Sequence, residues 1–271
     1  MYIAIITGAS SGMGRKCGEI LADKLRKADE IWLIARRERA MTELAHSLPK
    51  SKREKIRIIE GDLTEDAAFE RISEMLSEKK PKILFLVNAA GFGKIGCTEE
   101  LCEKIQSDMI RLNVEALVRL TRICLPYMAD RVGRIINFAS AAAFLPQPGF
   151  AVYAASKSFV LSFSEALNYE LRHREISVTA VCPGPVKTEF FDLAEEFEEI
   201  ALYKKLVMAK PEKVVKKAVR DSVRRRPVSV YGISMKGLRI ISRILPHRLV
   251  FKVMSAADKK IGDSKDHICK K

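Results

Sequence analysis

The sequence predicts an α/β protein: a parallel sheet of about seven strands with helices on both faces, forming a single domain over residues 1–231, followed by a basic extension over 232–271. Three observations carry that prediction. Short apolar runs of strand length alternate with longer segments of helical periodicity, the pattern of successive βαβ units. A glycine-rich turn follows the first of these runs at once. Finally, 271 residues with 48% hydrophobic composition supply enough apolar side chain for one sizeable core.

The first run, Tyr2 to Ile6, leads into Thr-Gly-Ala-Ser-Ser-Gly-Met-Gly at residues 7–14 and then into a helix through Ile20, Leu21 and Leu25. Glycines at 8, 12 and 14 let the backbone turn tightly and approach a ligand, and the free amides at the helix start attract a pyrophosphate. A second strand, Glu30 to Ala35, ends in Arg36-Arg37, where a carboxylate would suit a ribose 2′-hydroxyl. Two guanidinium groups suit a 2′-phosphate instead, so the expected cofactor is NADP(H); the alternative is a solvated charge run entering the helix near Met41 and Leu44.

Alternation continues with a strand at Lys55–Glu60 and a helix from about Glu65 to Glu78, then a strand at Ile83–Asn88 and a long helix from about Glu99 to Met128. Asp62, between the first two of these, either caps the helix or meets an adenine; Asn113, inside the long helix, is either a satisfied core amide or part of a site. A strand at 134–139 and a helix from 153 to about His173 precede a strand at Ile176–Cys182. Beyond it, Pro183 to Thr188 opens an insertion over about 189–210 that carries Phe190, Phe191, Leu193, Phe197, Leu202 and Tyr203 around an acidic run. This reads as a lid over a cleft, or as a surface hairpin serving only packing. A helix from Pro211 and a last strand at Val228–Tyr231 complete the domain.

Charge is unevenly placed. Of 48 basic and 34 acidic residues, 20 and 5 lie in 201–271, leaving 28 against 29 before them. A neutral domain with a basic extension points to a local docking surface, not to a nucleic-acid-binding protein. From Lys236 to Leu245, Lys236, Arg239 and Arg243 are expected on one helical face and Leu238, Ile241 and Leu245 on the other, before Pro246 interrupts. Such a helix docks on a membrane surface or an acidic partner, or packs its apolar face on the core or a subunit interface. The six cysteines show no paired spacing and the four histidines are scattered, so reduced thiols are expected and neither zinc nor a disulfide framework is. The strand at the very start leaves no room for a targeting segment and no run is long enough to span a bilayer, so a cytoplasmic, soluble protein is expected.

The stretch from Ser140 to Lys157 carries the chemistry. Tyr153 and Lys157 are four residues apart and share a helix face, and a serine at the mouth of the preceding strand is placed to meet them. A nearby ammonium and a position in the first helical turn favour the phenolate, making Tyr153 a candidate acid or base.

Together the turn Thr7–Gly14, Asp62, Asn88–Gly91, Asn113, Ser140, Tyr153 with Lys157, and Pro183-Gly184 with Thr188 resemble the short-chain dehydrogenase/reductase superfamily over residues 1–231. The resemblance implies a Rossmann fold in which Tyr153 protonates a carbonyl oxygen while nicotinamide delivers hydride to carbon. Ser140 would orient the substrate, Lys157 would bind the nicotinamide ribose and tune Tyr153, and Asn113 would hold a water in the proton relay. The implied cofactor contacts are Gly8, Ser10, Ser11, Gly12, Met13, Gly14, Arg36, Arg37, Asp62, Leu63, Asn88, Ala89, Ala90, Gly91, Tyr153, Lys157, Pro183, Gly184, Val186 and Thr188. One departure is Ala89, where the family commonly has a second asparagine; it removes polar support beside the central sheet. The extension is similar to that of a bacterial-type, cytosolic branch. The family also pairs the helices at 99–128 and 153–173, implying a homodimer or homotetramer. Apolar pocket candidates Phe92, Phe144, Leu145, Phe150, Phe190, Phe191 and Phe197 suggest a hydrophobic ketone or secondary alcohol. Two other functions stand beside a simple carbonyl reductase: a 3-oxoacyl thioester reductase, and a non-catalytic NADP(H)-binding regulatory module.

Overall fold

Seven parallel strands form one sheet in the order β3-β2-β1-β4-β5-β6-β7, seen in a computed structural model that describes residues 1–188 and 208–244 together with Pro246 and Phe251. The strands are β1 (Tyr2–Thr7), β2 (Glu30–Ala35), β3 (Ile56–Glu60), β4 (Lys82–Asn88), β5 (Arg134–Phe138), β6 (Ser177–Val181) and β7 (Val228–Ser229). Their apolar runs are near-continuous because helices cover both faces; in β1, every residue from Ile3 to Thr7 is buried. The chain winds outward from β1 to β3, then crosses back to place β4 on the other side of β1. Such a reversal opens a crevice at the carboxyl ends of the two central strands, where open α/β sheets hold ligands.

Nine α-helices among the described residues pack on this sheet: α1 (Gly12–Lys24), α2 (Glu38–His46), α3 (Lys50–Arg53), α4 (Asp66–Lys79), α5 (Glu103–Ile110), α6 (Ala116–Cys124), α7 (Ala151–Glu170), α8 (Pro211–Val223) and α9 (Ile233–Ile244). One face buries Ile20, Leu21, Leu33, Met41, Leu44, Val215 and Val219 among α1, α2 and α8. The other buries Ile3, Ile5, Trp32, Phe69, Leu120 and Leu167 beneath α4, α6 and α7.

Two departures from the expected elements have local causes. The long helix expected over 99–128 is interrupted: α5 passes into a π-helical turn at Arg111–Glu115, then into α6, and ends in a 3-10 turn at Leu125–Tyr127 with Pro126 at its start. Lys50–Arg53 form a short additional helix that no periodicity announced.

Cys17, Cys124 and Cys182 are buried free thiols and Cys102 is an exposed one. Cys97, by contrast, is disulfide-bonded, which corrects the expectation of reduced thiols at that position. Among the described residues no helix is long and apolar enough to cross a membrane, and no cluster of side chains is suited to a metal ion.

Candidate active site

The carboxyl ends of β1 and β4 are tied together by one hydroxyl. Thr7 Oγ1 accepts hydrogen bonds from the amides of Ala89 at 3.0 Å and Ala90 at 3.1 Å. Gly8 follows at φ +64°, and a Cβ there would lie 2.8 Å from the Ala89 carbonyl oxygen. Gly14 packs so tightly under this turn that a Cβ would collide with the Gly8 carbonyl. Only glycine satisfies both positions, one for its backbone angle and one for its space.

The turn ends at the start of α1, where Ser11 occupies the N-cap without a side-chain capping bond and no acidic residue stands in the first turn. Its amides and the positive end of the helix dipole are therefore available to an anion. The next two strand ends add charge. Arg36 is exposed by 72% and lies 3.7 Å from Asp62, while the guanidinium of Arg37 reaches Ser10 Oγ at 3.4 Å. Partial burial raises the Asp62 carboxyl, but hydrogen bonds from the Thr64 amide and hydroxyl and the charge of Arg36 outweigh it and hold the group below its usual range. A glycine cradle and an open helix terminus beside a basic strand end fit a nicotinamide dinucleotide.

Of the other expected cofactor contacts, Met13 and Ala89 lie half-buried beside the α1 face of the core, and Ala90 beside the α4 face. Leu63 is itself a core residue. Asn88 is buried with its side chain turned inward, donating to Thr121 Oγ1 at 3.1 Å and Asn137 Oδ1 at 2.8 Å. Gly91 has φ +159°, and a Cβ would stand 2.6 Å from Asn113 Oδ1 and 3.2 Å from Lys157 Nζ, so its bareness keeps a passage beside both groups. Thr188 lies beside Gly12, which brings the segment after β6 over the glycine turn. Val186 pairs with Ala209 in a short parallel bridge, and the Ala141 amide bonds the Pro183 carbonyl at 2.8 Å.

The expected catalytic residues meet in the same place. Ser140 follows β5 in extended conformation and caps a 3-10 turn at Ala141–Phe144, its Oγ accepting from the Ala142 amide at 3.1 Å. Tyr153, in the first turn of α7, is hydrogen-bonded to Ser140. One helical turn later Lys157 donates to the Phe138 carbonyl at 3.0 Å and stands 5.7 Å from the centre of the Tyr153 ring. Asn113 sits at the middle of the π-helical turn, a type of irregularity frequent at functional sites. Its Nδ2 donates to the Phe92 carbonyl and to Ser156 Oγ, and its Oδ1 accepts from the Phe92 amide. All its side-chain polar atoms are thus engaged in holding the segment after β4 against α7.

Burial changes the expected acidity of the tyrosine. Desolvation pushes the Tyr153 phenol up to about 12, with the Ser140 bond opposing it only partly. Desolvation also depresses the Lys157 ammonium to about 8. The phenol is therefore held protonated, not drawn toward phenolate as sequence spacing alone suggested.

An apolar wall surrounds Tyr153. Phe150 stacks on its ring at 4.2 Å between centroids, and Phe92, Leu101, Ile105, Met109 and Val152 complete the cluster. Gly93 lies against both rings, where a Cβ would be 2.7 Å from Tyr153 and 2.9 Å from Phe150. Phe144, expected here, packs instead with Ala139, Val160 and Met235 on the far side of the 3-10 turn. Phe190, Phe191 and Phe197 lie outside the described residues. Sequence reasoning missed Gly93, Leu101, Ile105, Met109 and Ser156; only Ser156, three residues after Tyr153 on the same helix, carried a readable spacing signal.

Comparison with known proteins matches residues 2–199 to the short chain dehydrogenase family. Sulfoacetaldehyde reductase 2 of Chromohalobacter salexigens is 34% identical over 194 residues, covering 69% of this chain and 74% of that protein. Very-long-chain 3-oxoacyl-CoA reductase of Rattus norvegicus is 29% identical over 269 residues, covering 95% of this chain and 80% of the relative. Among solved structures, a short-chain dehydrogenase from Sphingobium yanoikuyae in complex with NADPH superposes with a TM-score of 0.75 at 25% identity, covering 100% of this chain and 98% of its own.

Proposed function

The chain belongs to the short-chain dehydrogenase/reductase family, an oxidoreductase of carbonyl and alcohol groups that uses a nicotinamide cofactor, and from that membership we propose that it reduces an apolar ketone with NADPH. The observation that carries the reading is the protonated, Ser140-bonded Tyr153 inside an apolar wall, with the Lys157 ammonium within reach of the same ring.

Ser140 and Tyr153 present two hydroxyl groups to one point, where a substrate carbonyl oxygen accepts from both. When bound, the nicotinamide supplies the hydride that the carbonyl carbon receives. Tyr153 releases its Oη proton to the oxygen, so the C=O double bond becomes C–H and O–H and a tyrosinate remains. The charge on Lys157 stabilises that tyrosinate until a proton returns. Asn113 holds Phe92 and Ser156 in place, and any water retained in this turn meets main-chain groups, since its side chain is committed. The two-arginine end of β2 supports NADP(H) over NAD(H), through a guanidinium that can grip a 2′-phosphate bidentately. Exposed Ile110, Phe159 and Tyr169 on α5 and α7 support a homo-oligomer formed through those helices.

The test is NADPH oxidation against a panel of ketones, run beside NADH. Tyr153→Phe should abolish turnover and leave NADPH binding intact; retained turnover refutes the assignment. A second reading, reduction of a 3-oxoacyl thioester, draws on the match to the 3-oxoacyl-CoA reductase, which extends across 95% of the chain. Comparing a thioester-linked ketone with the free ketone of equal length separates the two.

A further inference from the structure

Helix α9 carries an apolar face that nothing among the described residues covers. Ile233, Ile240 and Ile244 recur at helical spacing along one stripe and are exposed by 89%, 62% and 76%, with Ile241 beside them at 52%. Gly237 lies in the same stripe, and a Cβ there would meet no atom within 4 Å, so among the described residues nothing packs on the stripe there. The opposite face is the attached one. Met235 packs on Gly184, where a Cβ would be 2.7 Å from its sulfur, and Arg239 pairs with Glu165 of α7 at 3.5 Å. This corrects the faces expected from sequence: Arg239 points inward, whereas Ile241, paired in that reading with the half-buried Leu238, is exposed.

We propose that the α9 face is a docking surface for an anionic lipid bilayer, with Ile233, Ile240, Ile241 and Ile244 entering the headgroup boundary and basic side chains meeting the lipid charge. Charge selects this occupant. Between Asp221 and Asp258 the sequence has eight basic residues and no acidic one; Arg225, Arg226 and Arg239 pair with Glu175, Asp221 and Glu165 within the fold, while Lys236 and Arg243 stand exposed along one edge of the stripe. A second copy docking symmetrically on the same face would bring like charges together. Nucleic acid would find no aromatic platform and gain nothing from isoleucines. An interfacial helix is recognised by this combination of an aliphatic face and a cationic edge.

The place of the helix gives docking a consequence. α9 is fastened to the segment after β6 and lies beside the 3-10 turn that Ser140 caps, so a bilayer under α9 lies at the rim of the cleft. An apolar ketone dissolved in that bilayer would then reach Tyr153 without crossing bulk water, a consequence that rests on the reductase reading while docking itself does not.

Flotation of the full-length chain with phosphatidylglycerol–phosphatidylcholine vesicles, against phosphatidylcholine alone, tests the proposal. The wild type should float with the anionic vesicles and be released by salt. Ile240→Glu with Ile244→Glu should lower vesicle partition by at least about tenfold, with thermal melting and turnover of a water-soluble ketone unchanged. Val132→Glu, at an exposed apolar position on another surface, should float like the wild type. Trp32 is fully buried, so Ile240→Trp adds a surface reporter whose emission should shift to the blue on anionic vesicles. Absence of flotation, equal flotation by the Ile240→Glu/Ile244→Glu protein, or an oligomer that dissociates on that substitution without any vesicle binding by the wild type overturns the proposal. Should every ketone fail as substrate while flotation holds, the reductase reading falls and the docking surface stands.

Discussion

Tyr153 and Lys157 lie one turn apart on α7, and burial moves both toward their neutral forms, the phenol to about 12 and the ammonium to about 8. In the proposed reduction this division is useful, because Tyr153, as the proton donor of that proposal, stays protonated through the neutral range while the lysine remains charged below about 8. As pH rises through that value, Lys157 loses the proton whose charge, in the proposed reaction, stabilises the tyrosinate. The kcat/KM for ketone reduction should therefore be level below about 8 and fall above it, by up to about tenfold per pH unit. A pH–rate profile checks this, and Lys157→Met should lower the rate and remove the limb. Arg36 offers a second residue-level test. Removing its charge-assisted contact by Arg36→Ala should weaken NADPH binding by about 1.5–3 kcal/mol and leave NADH binding nearly unchanged; fluorescence titration of both cofactors decides. The Tyr-x-x-x-Lys spacing was legible in sequence because helical geometry fixes it. The direction of the tyrosine shift was not, since it depends on Phe150, Gly93 and the rest of the wall closing over the ring from distant parts of the chain.

The central strands are held by a ladder of amides and hydroxyls that crosses from α6 to α7. Thr121 accepts from Asn88, Asn88 donates to Asn137, Asn137 donates to Ser164 at 2.9 Å, and Ser164 returns to the Val160 carbonyl. Asn88 and Asn137 stand opposite each other in the parallel register of β4 and β5. This ladder and Thr7, which satisfies the amides of Ala89 and Ala90, support the sheet where Ala89 contributes no polar side chain. Asn137→Ala leaves the Asn88 amide group and the Ser164 hydroxyl short of a buried partner and should cost about 2–3 kcal/mol, read as a lower urea midpoint with an unchanged slope. The strands were legible because buried parallel strands are written as unbroken apolar runs. The interruption of the 99–128 helix was not, because the π-helical turn accompanies Asn113 bonding to Phe92 and Ser156, residues remote in sequence.

On the scale of the whole chain, the question is whether residues 1–231 form a domain that closes without residues 232–271. The two main core clusters contain no residue of α9, and no residue of α9 is fully buried. What α9 contributes is half-burial of Met235 and Leu238 and a surface ion pair, together about 2 kcal/mol. We expect a chain ending at Tyr231, compared with the full protein under reducing conditions so that Cys97 is a thiol in both, to fold, to melt about 4–8 °C lower, and to keep NADPH binding, weakened only by the loss of the Met235 contact on Gly184. Removing 232–271 deletes ten basic and three acidic residues and takes the formal net charge from +14 to +7. Vesicle binding should disappear with it, whereas Ile240→Ser with Ile244→Ser keeps the charge of the full protein and should lower binding through the apolar face alone, so the two proteins separate the apolar from the electrostatic part of docking. Thermal melting followed by near-ultraviolet circular dichroism is the deciding measurement. A truncated chain that keeps its helical signal but loses its aromatic signal would show that the extension completes the tertiary packing and belongs to the domain.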